Sequence, residues 1–279
     1  MRQVSATGRR KIPQLFARFC GGTLLVFWLC GPPTCAQAPD QAQSSSKPDN
    51  PLPSGDGWRV AIVPYIWFAG VNGTVGALGH QASVHATFGD VASYLNLGFM
   101  GTLDTRYGRL LLPTDFMWIK LSDDKALPFE KGATSVKAKM TQTILSQYFG
   151  YRLVGQEKFK ADAIFGMRFW HLTNDLTLQP AELAQGFSAS EGWVDGVAGG
   201  RFTVWLTPKT RITIFGDAGG GAARYDYQVI GTLGFKISRK WILQAGYRYM
   251  DVNYRQASGA FLYDVAQSGL LLGATWSVK

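Results

Sequence analysis

The side chains best placed to do chemistry are charged ones spaced at a fixed distance from glycine. Gly150 and Arg152, Gly166 and Arg168, Gly199 and Arg201, and Gly246 and Arg248 each form a Gly-x-Arg step. Two copies are longer. Asp162 and Asp195 each lie four residues before the glycine, and Phe169 and Phe202 each follow the arginine. Together with charged residues elsewhere they make one constellation: Asp104, Arg106, Asp115, Asp162, Arg168, Asp195, Arg201, Asp217 and Arg248. Guanidinium and carboxylate groups form short, often bidentate, hydrogen-bonded pairs. Such a set can interlock as an ion-pair network inside a narrow structure. It can also line a water-filled path that selects solutes by charge.

Nucleophilic and metal chemistry find little support. Histidine is scarce: His80, His85 and His171. His80 and His85 lie five apart, and a metal site needs ligands that converge, with no third one evident nearby. His171, Asp175 and Ser188 or Ser190 share one segment, so a hydrolase can be imagined. Triads are defined by geometry, which spacing alone does not supply. Gly219-Gly220-Gly221 lacks the Lys-Ser/Thr of a phosphate loop and reads as a turn. No catalytic, cofactor-binding or metal residue is assigned, no cofactor is expected, and the chain does not read as an enzyme.

What must position the charges is a set of strands. From Gly57 onward the dominant period is two. Phe159, Ala161, Ala163, Phe165, Met167 and Phe169 share one face, opposite Lys160, Asp162, Gly166 and Arg168. Val194, Gly196, Ala198, Gly200, Phe202, Val204 and Leu206 oppose Trp193, Asp195, Gly199, Arg201 and Thr203. Leu270, Leu272, Ala274 and Trp276 alternate with Leu271, Gly273, Thr275 and Ser277. Successive side chains of a strand point to opposite faces. Charges on one face and apolar groups on the other suit a membrane barrel with a polar interior. Short connections (107–108, 154–157, 207–209, 238–239) alternate with longer ones (121–133, 172–190, 219–225, 255–261), as in outer-membrane barrels.

The fold expected is therefore all-β, a transmembrane antiparallel up-and-down barrel. The strands fall at 58–70, 97–107, 109–120, 134–153, 158–171, 191–206, 209–218, 226–237, 240–254 and 262–277. That is about ten, with eight or twelve as alternatives. Segment 71–96 is ambiguous: 82–88 reads as a further strand and 90–95 as a helical turn. Pro64 and Pro113 fall inside strands, where each removes a ladder hydrogen bond. They mark bulges or misplaced boundaries. By position, Trp58, Trp205, Trp241 and Trp276 fall at one end of the strands and Trp67, Trp118, Trp170 and Trp193 at the other, which suggests two aromatic belts. By parity, Trp67, Trp170, Trp193 and Trp205 face inward.

The domains divide as 1–38, 39–56 and 57–279. Arg2, Arg9, Arg10, Lys11 and Arg18 precede an apolar core of about twelve residues, then Gly31-Pro32-Pro33 and Ala36-Gln37-Ala38. That layout is a secretory signal peptide, too short to span hydrocarbon. Residues 39–56 are rich in Pro, Ser and Asp and read as a flexible linker. Loss of 1–38 removes all three cysteines and five of the 28 basic residues, leaving 23 against 19 acidic, a net +4. The net +9 of the whole chain is thus a poor argument for nucleic-acid binding, and no nucleic-acid partner is expected. Only 17% of residues are charged, below the roughly 25% of an average soluble domain, while the 46% that are apolar exclude disorder.

Several motifs resemble one family. They are Trp58…Pro64-Tyr65-Ile66-Trp67…Gly70…Gly73, the run from Thr102 to Arg109, Asp115, the Gly-x-Arg-aromatic strands, Gly216-Asp217-Ala218-Gly219-Gly220 and Gly246-Tyr247-Arg248-Tyr249. Together they resemble small Gram-negative outer-membrane β-barrel proteins, broadly of the OmpA transmembrane type, over most of 57–279. The resemblance implies a cell outer-membrane location after export, contact with outer-membrane lipids and lipopolysaccharide, and the barrel-assembly machinery during biogenesis. It implies no agreed activity and no catalytic residue. Such barrels usually end in an aromatic residue, whereas Ser277-Val278-Lys279 follow Trp276 here. The function expected is structural or surface-interacting. The alternative is a narrow pore or small-ligand binder with a possible small solute as partner, and a lipid-modifying enzyme comes third.

Overall fold

A computed structural model describes residues 57–77, 80–125, 135–179 and 186–278. The signal-peptide and linker assignments, 1–38 and 39–56, lie outside the described residues. Period-two alternation becomes strand almost throughout. β1 (Trp58–Ala77) leads into a short β2 (His80–Ala86) and a helix α1 (Phe88–Ser93). Then come β3 (Leu95–Tyr107), β4 (Leu110–Lys125), β5 (Ser135–Gly155), β6 (Phe159–Gln179), β7 (Gly186–Trp205), β8 (Thr210–Gly221), β9 (Tyr225–Lys236), β10 (Trp241–Arg255) and β11 (Phe261–Ser277).

All neighbours are antiparallel, and β11 pairs with β1 from Ala61↔Ser277 to Ala77↔Phe261. The sheet thereby closes into a ten-strand barrel, with β2 an additional strand outside it. Closure matters because hydrocarbon offers no partner to an unpaired backbone group. The outer face is apolar: Ile66, Phe99, Phe165, Met167, Phe202, Ile214, Leu233 and Leu270 are all exposed. Both ends of the barrel chain lie with the tight turns, one of which uses Gly108 in the left-handed region (φ 57°). We call this the terminal end.

Segment 71–96 resolves as both of its readings. β2 folds back on the upper half of β1, with Val71↔Ala86 to Ala77↔His80. α1 follows, started by a capping box in which Thr87 and Asp90 satisfy each other's backbone N–H groups. Neither proline marks a bulge. The β1–β11 register is the same on both sides of Pro64, and the β4–β5 register on both sides of Pro113, with only local ladder bonds lost. The irregularities fall elsewhere, between Leu95 and Leu97 and between Arg152 and Val154. Pro64 does mark a parting. β1 pairs with β3 only from Trp58↔Tyr107 to Pro64↔Gly101, and α1 packs beside the divergence, with Phe88 edge-on to Phe68 at 4.8 Å.

Several strands outrun their expected bounds. β6 and β7 remain paired from Leu172↔Glu191 to Thr177↔Gly186, within a stretch expected to be loop. Beyond the lipid belt a strand has no apolar side to show, so the ladder continues after the alternation fades.

Candidate functional site

The lumen is layered. Toward the long-strand end it holds an aromatic and apolar cluster in which Trp193 stacks on Trp170 at 5.4 Å and on Tyr254 at 4.1 Å. Trp67, Trp170 and Trp193 are buried here, so the expected outer belt does not form at these three positions. Their parity faces the lumen, where a bulky ring can fill a narrow barrel. Trp58, Trp241 and Trp276 are exposed at the terminal end, and Trp241 stacks on Trp276.

Two buried arginines occupy the middle layer. The Arg168 Nη2 donates to Asp217 at 2.7 and 2.8 Å and to the Tyr148 hydroxyl at 2.9 Å. Its Nη1 donates to Asp226 and its Nε to the Ser146 hydroxyl at 3.0 Å. Trp170 Nε1 donates to the other Asp226 oxygen at 2.8 Å, and Gln228 Nε2 to Asp217 at 2.7 Å. Arg248 reaches Asp115 at 3.3 Å and the Tyr65 hydroxyl at 2.9 Å, with its guanidinium 4.8 Å above the Trp67 ring. Asp115 also accepts from the Tyr65 hydroxyl at 2.9 Å and from Thr102 at 2.8 Å. A charge with no access to water is tolerable only when paired and hydrogen-bonded in this way.

Nearer the terminal end, a chain of four charges runs from strand to strand. Arg152 binds Asp162 through both prongs, at 2.7 and 3.1 Å. Arg201 donates to Asp162 at 3.1 Å and to Asp104 at 2.9 Å. Beside it lies a cavity of about 530 Å³ whose wall includes Arg59, Arg106, Arg152, Lys160, Arg201 and Arg211, with Asp104 as its one carboxylate among the described residues. Arg211 lies 5.7 Å over the Trp205 ring.

Of the nine residues expected to form one network, seven enter ion pairs, in three separate groups. The other two do not. Asp195 sits opposite Arg168 in the ladder, yet it accepts the Ala223 backbone N–H at 2.7 Å and Trp193 Nε1 at 3.0 Å. Arg168 is already filled by Asp217 and Asp226, so the adjacent carboxylate serves a turn instead. Arg106 meets no carboxylate among the described residues and faces the cavity. Sequence reasoning omitted Arg152, Asp226, Tyr148, Gln228, Tyr65, Arg59, Lys160 and Arg211 from the site. Strand parity was the available signal for Lys160, which shares a face of β6 with Asp162 and Arg168, and for Arg211, which shares a face of β8 with Asp217, whereas β1, β5 and β9 carried no chosen residue.

The imagined hydrolase does not assemble. Ser190 Oγ lies 3.4 Å from His171 Nε2, but Asp175 accepts from Ser188 at 2.6 Å and is not bonded to His171. A base with no orienting carboxylate among the described residues lacks the third member of the relay.

A closed antiparallel barrel with an apolar exterior and a charged interior defines the class, an outer-membrane β-barrel. No family model matches the sequence, and no curated protein matches it. Among solved structures, Ail, the attachment invasion locus protein of Yersinia pestis, is similar with a TM-score of 0.37 and 13% identity, covering 80% of this chain and 99% of its own. The outer membrane protease OmpT of Escherichia coli gives 0.43 and 7%, covering 80% and 97%. The translocator domain of autotransporter NalP from Neisseria meningitidis gives 0.43 and 13%, covering 81% and 90%. Likenesses this distant carry no argument about activity, and the class rests on the strand pairing and the two faces.

Proposed function

We propose that the protein is exported by its N-terminal signal segment and resides in the outer membrane as a closed, non-conducting barrel. Its role is structural or surface-interacting, with outer-membrane lipids and lipopolysaccharide around it and the barrel-assembly machinery as its partner during biogenesis. One observation carries the reading. Arg168, Asp195, Asp226 and Arg248 are all 0% exposed, although all face the lumen. Side chains that water does not reach fill the cross-section where a pore would need its path. Strand length supports the surface role. At roughly 3.4 Å per residue, the 21 residues of β5 and of β6 far outrun an apolar belt of about 25 Å, so their ends form a protruding rim.

The pore reading draws on the terminal-end cavity, and that cavity ends against the packed middle layer. No catalytic role is proposed. Planar-bilayer recording tests the closed barrel, with lipid flotation confirming insertion. The expected result is no unitary conductance. Reproducible unitary steps from inserted wild-type protein would overturn it.

A further inference from the structure

We propose that the terminal-end cavity is a binding site for a small anion carrying at least two phosphate-type charges. The argument begins with charge balance. The two carboxylates in this layer are already engaged: Asp162 accepts from Arg152 and Arg201, and Asp104 from Arg201. Arg59, Arg106, Lys160 and Arg211 remain, with no carboxylate partner among the described residues. Four cations around one cavity repel one another, and the ion-pair chain, two arginines with two carboxylates, carries no net charge to balance them.

The site is built by the barrel. Arg59 stands on β1, Arg106 on β3, Lys160 on β6 and Arg211 on β8, so the four approach from four strands fixed by continuous ladders. Arg106 and Arg211 are half-buried, which keeps water from fully screening them. A volume of about 530 Å³ lies within the roughly 300–1,000 Å³ of small-molecule sites. Guanidinium forks match the oxygens of phosphate two at a time, and lysine adds a point charge. A monovalent anion would leave most of the repulsion in place, so the fit is to a diphosphate or a phosphorylated small molecule. Entry is from the terminal side, where Arg59 is exposed, because Tyr148, Ile164, Val197 and Phe215 pack together above.

The inference goes beyond the closed-barrel reading and does not depend on it, since binding is read as heat and conductance as current. The experiment is calorimetric titration of inorganic pyrophosphate into the full-length protein in phosphatidylcholine nanodiscs, with thermal midpoints measured alongside. Wild type should bind, more weakly as salt rises. Arg106→Gln and Arg211→Gln should each weaken binding by tenfold or more. Arg255→Gln, on the far end of β10, should not change it. Without pyrophosphate, the two cavity variants should melt at or above the wild-type temperature, because a repulsion is removed. With pyrophosphate, wild type should gain stability by mass action while the variants do not. Absence of binding, or an equal loss in Arg255→Gln, overturns the proposal. A final arm uses nanodiscs containing phosphatidic acid. Undiminished pyrophosphate binding there assigns the site to a soluble phosphate, and its suppression assigns the same site to a lipid phosphate headgroup.

Discussion

Replacing Arg168 with Met should be among the most damaging single changes to the barrel. Arg168, Asp217 and Asp226 have side chains fully removed from solvent. The substitution leaves two carboxylates buried with no cation. Breaking a buried pair from one side costs about 3–5 kcal/mol. In a domain of about 150–250 residues each kcal/mol moves the thermal midpoint by roughly 2–4 °C, so the expected fall is about 6–20 °C. Near-UV circular dichroism in detergent at one fixed scan rate is the assay, because Tyr148 and Trp170 sit in the same network and report its loss. Arg201→Met should fall less, since Arg201 and Asp104 are 18% and 32% exposed and water screens what remains. Arg255→Met, at an exposed position, should stay within about 0.5 kcal/mol. The triple change Arg168→Met, Asp217→Asn and Asp226→Asn should recover most of the loss, because a whole buried ionic group can often be replaced at little cost. If Arg168→Met melts with the wild type, the buried charges do not hold the lumen. If the triple variant is no better than the single one, lost packing and not unpaired charge is the cause.

Two further outcomes check the packing. In single-tryptophan variants, Trp241 and Trp276 should be quenched by brominated lipids, while Trp170 and Trp193 should be shielded at every bromine depth; strong quenching of either inner residue would place its ring in lipid. Gly199→Ala would set a Cβ 1.9 Å from the Gly216 carbonyl oxygen, so it should lower the midpoint by the equivalent of about 1–3 kcal/mol. Gly231→Ala, where a Cβ meets nothing within 4 Å, is the matched control, and equal effects would show that the close strand approach is not the reason for glycine.

The barrel was legible because lipid imposes a strict rule on one face of each strand. Phe165, Met167 and Phe169 outside force Gly166 and Arg168 inside, and the same parity repeated along the chain yields ten strands. The rule lapses beyond the lipid, which is why the paired extensions of β6 and β7 read as loop. It also says nothing about reach. Parity put Asp195 and Arg168 on one face, and the ladder puts them side by side, but only three-dimensional competition hands Arg168 to Asp217 and Asp226. Pro64 looked like a flaw in a strand, whereas the β1–β11 register passes through it unchanged and it is simply where the pairing of β1 with β3 stops. Arg106 looked like a network member because its type and face were right. The missing information was that, among the described residues, no carboxylate stands near enough to pair with it.

The Gly-x-Arg repeat acquires a physical meaning once the four copies are compared. A Cβ on Gly166, Gly199 or Gly246 would lie 1.9–2.0 Å from a carbonyl oxygen of the adjoining strand. In each of these copies the arginine two residues on binds beyond its immediate neighbour. Arg168 on β6 reaches Asp217 on β8 and Asp226 on β9. Arg201 on β7 reaches Asp104 on β3, and Arg248 on β10 reaches Asp115 on β4, each four places around the ring. The fourth copy differs on both counts. A Cβ on Gly150 would meet its nearest atoms at 3.0 Å, and Arg152 pairs with Asp162 on the adjacent strand. At these three copies a close strand approach that only glycine allows accompanies an arginine that ties distant staves of the barrel together, although Gly73, Gly219 and Gly269 make the same approach with no arginine two residues on. A ladder bond joins only neighbours. A charge pair across the lumen resists flattening of the whole ring, and that is what a narrow barrel gains by keeping arginine in its interior.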